Sequence, residues 1–191
     1  NTSQAKGSSS IAMGKTAEAS KANAIALGGL SKAKDENAIA IGGKAEASKI
    51  GTMAIGTGAK ADSIKAVAIG IESEVTGENS MAIGANAVAE TKNSLALGAG
   101  TEIRGTLVNT YSAFTNEINP ATAGVVAVAN VGTERRIINV AGGQNDTDAA
   151  NVKQLRYVNN NLAQTIAGST YTGYEANGST YKAPDFDIKN T

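Results

Sequence analysis

The sequence predicts an all-β solenoid of 14-residue coils. Three observations predict it: a glycine at fixed spacing, a two-residue alternation inside each repeat, and no aromatic residue in the first 103 positions. Gly14, Gly28, Gly42, Gly56, Gly70, Gly84 and Gly98 stand 14 residues apart. The phrases ending at them read SIAMG, AIALG, AIAIG, TMAIG, AVAIG, SMAIG and SLALG. Exact recurrence over seven copies marks a stacked-repeat architecture. A 14-residue unit is too short for a helical hairpin, and alternation with period two is the strand signature.

Each repeat reads as strand, turn, strand, turn. In Ser80-Met81-Ala82-Ile83-Gly84 the alternation places Met81 and Ile83 on one face and Ser80, Ala82 and Gly84 on the other. Asn86-Ala87-Val88-Ala89 supplies a second short strand, and Glu90-Thr91-Lys92-Asn93 a return turn. Asn23, Asn37, Asn79 and Asn93, with Gly51, stand five residues before a repeat glycine, and these residue types tolerate left-handed turn conformations. Positions three and five after the glycine are mostly small, as in Ala17/Ala19 and Ala45/Ala47. Stacked by parallel ladders about 4.8 Å apart, seven coils make a slab of roughly 34 Å.

The pattern predicts a thin core with the large residues inside. Ile25/Leu27, Ile39/Ile41, Met53/Ile55 and Val67/Ile69 are expected to point inward, with alanine pairs filling the opposite wall. The small reverse face (Ser, Ala, Thr, Gly) would let another chain approach closely, so the slab is expected to associate with copies of itself. The alternative is a solvated face on a monomeric solenoid.

Residues 105–156 break the period. Val125–Val131 and Arg136–Val140 are strand candidates. Asp146 or Thr147 is the expected N-cap of a following helix. Leu155, Val158 and Leu162, then Ile166, recur at spacings of three and four, a short coiled-coil seam. Tyr171–Tyr181 encloses Asn177-Gly178, a hairpin signal. The expected domains are a head over 1–104, a neck over 105–156, a short coiled coil over 157–168 and the start of a β-rich stalk module over 169–191.

Composition narrows the function. The 17 Lys and Arg balance the 17 Asp and Glu and are interleaved with them, so no nucleic-acid partner is expected. There is no Cys, hence no disulfide, thiolate nucleophile or cysteine metal site. The lack of His removes the commonest general base and transition-metal ligand. No enzyme activity, catalytic residue, metal or cofactor is expected. Gly56-Thr57-Gly58-Ala59-Lys60-Ala61 fits GxGxxA but lies in repeat register with no long helix after it. Gly142-Gly143-Gln144-Asn145-Asp146 resembles a calcium-binding β-roll repeat but occurs once. A left-handed β-helix acyltransferase would show a six-residue period and usually a catalytic His.

Two patterns together carry a family resemblance. The repeat, with its NSxAxG-type phrases, resembles the YadA-like head of trimeric autotransporter adhesins, the Hep/Hag haemagglutinin repeats. The run Glu134–Arg156, containing Arg136-Ile137-Ile138-Asn139-Val140-Ala141 and Thr147-Asp148-Ala149-Ala150-Asn151, resembles that family's neck. Arg136 stands where the family has Gln, and Ala150 where it has Val.

The resemblance implies a left-handed parallel β-roll, three rolls about a threefold axis, and a β/α neck narrowing onto a short trimeric coiled coil. It implies a homotrimer on the bacterial cell surface that attaches to host extracellular-matrix proteins or cell receptors and supports autoagglutination and biofilm. It also implies a C-terminal outer-membrane anchor beyond this stretch as the only membrane link; the sequence is expected to be an excised fragment. In some members collagen binding is tied to NSVAIG phrases. Their nearest counterparts are Asn79, Ser80, Met81, Ala82, Ile83 and Gly84, and Asn93, Ser94, Leu95, Ala96, Leu97 and Gly98. Any coil needs these residues to fold, so their first expected duty is stacking. In the neck, Arg135, Arg136, Lys153 and Arg156 against Glu134, Asp146 and Asp148 suggest interchain salt bridges, with solvated charge as the alternative. The rival to adhesion is a spacer that carries a different binding tip.

Overall fold

The computed structural model describes residues 2–107, 110–111, 118–119 and 123–167. The expected hairpin at 171–181 and the stalk module at 169–191 lie outside the described residues. The chain forms two compact units, Asn1–Arg135 and Arg136–Thr191.

The first unit is a parallel β-solenoid with two walls. One wall stacks the two-residue strands β1 (Gln4–Ala5), β3 (Glu18–Ala19), β5 (Lys32–Ala33), β7 (Glu46–Ala47), β9 (Lys60–Ala61), β11 (Glu74–Val75), β13 (Val88–Ala89) and β15 (Glu102–Ile103). The other stacks the three-residue strands β2 (Ile11–Met13), β4 (Ile25–Leu27), β6 (Ile39–Ile41), β8 (Met53–Ile55), β10 (Val67–Ile69), β12 (Met81–Ile83) and β14 (Leu95–Leu97). Register follows the repeat, so residue i pairs with i + 14: Ile25 with Ile39, Met53 with Val67, Glu46 with Lys60. After the seventh coil the chain forms an antiparallel pair, β16 (Thr110–Tyr111) with β17 (Ile118–Asn119). It then returns as β18 (Val126–Ala127), an eighth rung on β14. Of the strand expected over 125–131, only these two residues join a ladder.

Both turns of each coil use left-handed residues. Asn23, Asn37, Asn79 and Asn93 have φ of 54–58°, as expected for one turn; Thr16, Leu30, Lys44, Glu72 and Asn86 take φ of 54–64° at the other.

The direction of the large aliphatic residues is the reverse of that expected. Ala26, Ala40, Ala54, Ala68, Ala82 and Ala96 are fully buried, while Ile25, Leu27, Ile39, Ile41, Met53, Ile55, Val67 and Ile69 point outward and are half-buried by neighbouring rungs. At the ends of the stack Met13 is 65% and Leu97 42% exposed. The opposite wall contributes Ala19, Ala33, Ala47, Ala61, Val75 and Ala89, as expected. The interior is thus methyl against methyl. Period two fixes which residues share a face but not which face is inside. The width of the coil decides that: Ala, Ser and Thr at the buried turn positions, such as Ala24, Ser31, Thr52 and Ser73, draw the walls too close for Ile or Leu between them.

The second unit contains α1 (Val152–Ala167). Arg136–Val140, a strand candidate by sequence, joins no ladder. The helix is capped by Asn151 rather than by Asp146 or Thr147. Asn151 Oδ1 accepts from the Gln154 amide at 3.1 Å, and Gln154 Oε1 accepts from the Asn151 amide at 3.2 Å, a reciprocal capping box.

Candidate functional site

Of the two adhesive-type phrases, the structure puts half of each phrase inside. Ser80 Oγ donates to the Thr91 carbonyl at 2.6 Å and accepts from the Ser94 amide at 3.2 Å, tying one rung to the next. Ser94 Oγ accepts from the Val125 amide at 3.1 Å. Ala82 and Ala96 are core, and Gly84 and Gly98 take φ of 138° and 121°. Met81, Ile83, Leu95 and Leu97 belong to the outward aliphatic face, and Asn79 and Asn93 are exposed at the turn.

That face is the first candidate surface. Two columns of aliphatic side chains run the length of the longer-strand wall, from Ile11/Met13 to Leu95/Leu97. A strip roughly 34 Å by 10 Å is as large as the largest apolar patch of a typical monomer, and such patches are often functional. The expected close approach through a small, flat face is therefore corrected: the surface offered for association is the aliphatic one, because the small residues are consumed by the core.

The opposite wall is charged. Over five rungs its outward column reads Glu18, Lys32, Glu46, Lys60, Glu74, each beside the next in register, with Gln4 before them and Val88 and Glu102 after. Lys6 pairs with Glu18 at 2.6 Å, Lys34 with Glu46, and Arg104 with both Glu90 and Glu102. The hydrogen bond from Lys34 holds the Glu46 carboxyl below the ordinary glutamate value; the charges of Lys34 and Lys32 and a weak bond from Ser48 act the same way, and desolvation opposes them. A carboxylate with a lowered folded pKa stabilises the fold above its unfolded pKa, and that contribution is lost as pH falls through the folded value. Lys34→Ala is expected to return the Glu46 pKa toward the ordinary value and to flatten the acid limb of stability. Side-chain NMR titration of Glu46 and melting curves between about pH 3 and 6 check this. The change in overall stability is small, because the pair is solvent-exposed.

The end of the stack is closed by side chains. In lower rungs the carbonyl of Ala85 accepts the Gly100 amide and that of Ile71 the Asn86 amide, both at 2.8 Å. At the last rung Arg135 Nη2 donates instead to the Ala99 carbonyl at 2.6 Å, while Nη1 donates to Thr101 Oγ1 at 3.0 Å and to the Val128 carbonyl. Asn130 Oδ1 accepts from the Glu102 amide at 2.7 Å, and its Nδ2 donates to the Gly100 carbonyl at 2.8 Å. The Arg135 guanidinium lies over Gly98, where the next coil's glycine would otherwise sit. Arg135, expected in an interchain network, is thus engaged within its own chain. Arg135→Ala is expected to lower stability by about 2 kcal/mol, the value of charge-assisted bonds to orphaned carbonyls. Urea midpoints read it out.

In the second unit Gln154 gathers the chain around the helix start. Beyond the capping box, its Oε1 accepts from the Gly143 amide at 2.9 Å, and its Nε2 donates to the Gly143 carbonyl at 2.8 Å. Asn151 Nδ2 donates to the Val140 carbonyl at 3.0 Å. Asp148 Oδ2 accepts from the Asn145 and Gln144 amides at 2.9 Å, and these bonds hold its carboxyl low. Sequence reasoning missed Asn151 and Gln154, although their i, i+3 spacing before an apolar residue is the capping-box signal. Leu155, Val158 and Leu162 are 67%, 60% and 56% exposed on α1. Arg136, Asp146, Lys153 and Arg156 lie in the same unit.

Among the described residues no group of three or more acidic, His or Cys side chains could hold a metal, and no helix is long and apolar enough to cross a membrane.

Comparison with known proteins agrees with this layout. Residues 5–31, 19–45, 47–73 and 76–101 match the family described as YadA head domain repeat, and residues 136–178 match the coiled stalk of trimeric autotransporter adhesin. The crystal structure of the collagen-binding domain of the Yersinia adhesin YadA superposes with a TM-score of 0.55 at 28% identity, covering 82% of this chain and 86% of that one. No curated protein matches the chain.

Proposed function

The chain belongs to the YadA-like trimeric autotransporter adhesins, and from that premise we propose that it is a homotrimeric head and neck that attaches bacteria to collagen-type matrix. The observation that carries the reading is the likeness of the solenoid to a collagen-binding head. Family and fold point to adhesion rather than catalysis. In the assembled fibre three chains bring their aliphatic walls together, which removes the exposed strip from water. The Leu155, Val158 and Leu162 seam closes against two partner helices in the same way. The charged walls remain outside as the surface that meets the host. The neck charges Arg136, Asp146, Lys153 and Arg156 pair between chains.

Among the described residues the solenoid wall is a shallow, repeating surface. Attachment is therefore multivalent: many weak contacts along a trimer, and many trimers on a cell, give avidity without a pocket. Autoagglutination and biofilm follow when the surface met is another cell's. Immobilised triple-helical collagen, heat-denatured collagen, fibronectin and laminin, probed with the purified chain, test the reading. Binding to native collagen is the expected result. Binding to none of them, with the trimer intact, sinks it and leaves the fibre as a spacer for a different tip.

A further inference from the structure

The alternation of charge along the second wall has a consequence for how heads meet. Glu18, Lys32, Glu46, Lys60 and Glu74 point outward from one column, one residue per rung and changing sign at every rung. Glu18, Glu46 and Glu74 are half-buried by their neighbours, and Lys32 and Lys60 are exposed. The column lies on the opposite wall from the aliphatic face, so it stays uncovered when that face is used for assembly.

A column of this kind is complementary to itself in antiparallel order, and only that order gives a closed twofold contact. Laid face to face in parallel and in register, two copies oppose like charges. Turned antiparallel about a twofold axis between the rungs of Glu46 and Lys60, the four central charges meet opposite partners, while Glu18 faces Val88 and Gln4 faces Glu102. Glu46 then faces Lys60 of the second copy, Lys32 faces Glu74, and each contact occurs twice, as an isologous interface requires.

We infer that the charged wall is a homophilic contact: it docks the same wall of a head from a second trimer in antiparallel order through alternating ion pairs. The inference rests on the adhesin reading and names the partner of its outer surface, a second copy of this chain. Fibres that extend toward each other from two cells overlap in that antiparallel sense. The strip is narrow and its pairs are solvent-exposed, so one contact is weak and salt-sensitive. Repetition over three walls per trimer and many trimers per cell supplies the strength.

The test is clumping of beads coated with the full chain. Wild-type beads are expected to clump at low ionic strength, with about a tenfold loss by 0.5 M NaCl. Lys32→Glu with Lys60→Glu gives an all-negative column, and Glu18→Lys, Glu46→Lys and Glu74→Lys together give an all-positive one. Each preparation alone is expected to stay dispersed, and their mixture to clump. A neutral column with glutamine at all five positions avoids like-charge strain between rungs and decides the matter if either single-sign chain fails to fold; it too is expected to stay dispersed. Clumping of the glutamine chain at the wild-type level, or no clumping of a folded mixture, overturns the inference. Collagen capture on the same beads tests the matrix reading separately: its loss in wild type, with clumping as described, would sink that reading and leave this one standing.

Discussion

Gly56→Ala is expected to cost the solenoid about 3 to 5 kcal/mol, enough to unfold the central coils. Gly56 has φ of 135°, a region that residues with a side chain rarely enter. A Cβ built there would lie 2.3 Å from the Gly70 carbonyl oxygen and 2.6 Å from its carbon. No side-chain rotation relieves the clash, because the obstacle is the backbone of the next rung. The same holds for Gly14, Gly28, Gly42, Gly70 and Gly84, each of which would meet the following glycine's carbonyl at 2.3–2.6 Å. The rung spacing must therefore open at the mutated coil, which weakens the backbone bonds on either side, including Gly56 amide to Ile41 carbonyl and Gly70 amide to Ile55 carbonyl, both 2.8 Å. Gly100→Ala is the control: φ is 68° but nothing lies within 4 Å of the added carbon, so only the conformational strain remains. Urea denaturation followed by circular dichroism separates the two. Equal midpoints would show that spacing between rungs does not depend on the glycine column.

The second large effect is on assembly. Ile41→Asp with Ile69→Asp places two charges in the middle of the aliphatic wall of every chain, six in a trimer. Desolvating an unpaired carboxylate costs several kcal/mol, so the trimer is expected to dissociate at micromolar concentration. The substituted residues point away from the alanine core, so the coils' internal packing is left untouched. Thr76→Asp, which adds negative charge to the opposite wall, is expected to leave the trimer intact. Sedimentation velocity reads the mass directly. A trimer that survives the double substitution would mean the aliphatic wall is not where the chains meet. If the alternation ran the other way, these aspartates would be buried in the solenoid and the chain would not fold at all, so a folded monomer also tests the direction of the side chains.

Much of the fold could be read in the chain because its determinants are local and repeated. Seven glycines at a spacing of 14 give the coil length, the two-residue alternation gives strands, and asparagine before four of the seven longer strands gives a turn. The neck phrase ending in Asn151–Leu155, together with the repeat, was enough to recognise the family. The candidate surfaces were less legible. Met81, Ile83, Leu95 and Leu97 are identifiable as one face of a strand, yet the sequence carries no sign of which face is inside. That depends on the distance between two walls, which is set by turns and small residues several positions away, among them Thr52, Ser73 and Ser80.

What the sequence determined by itself, then, was the period, the register and the family, since each is written in residues a few positions apart and repeated until chance is excluded. The tertiary structure alone decided the direction of the large side chains, the closure of the stack and the start of the helix. Arg135 meets Ala99 and Thr101 across 36 and 34 residues, and Gln154 meets Gly143 across 11. Such bonds form because a backbone group left without a partner at the end of a ladder or helix must find one, and only the folded chain brings the candidates within reach.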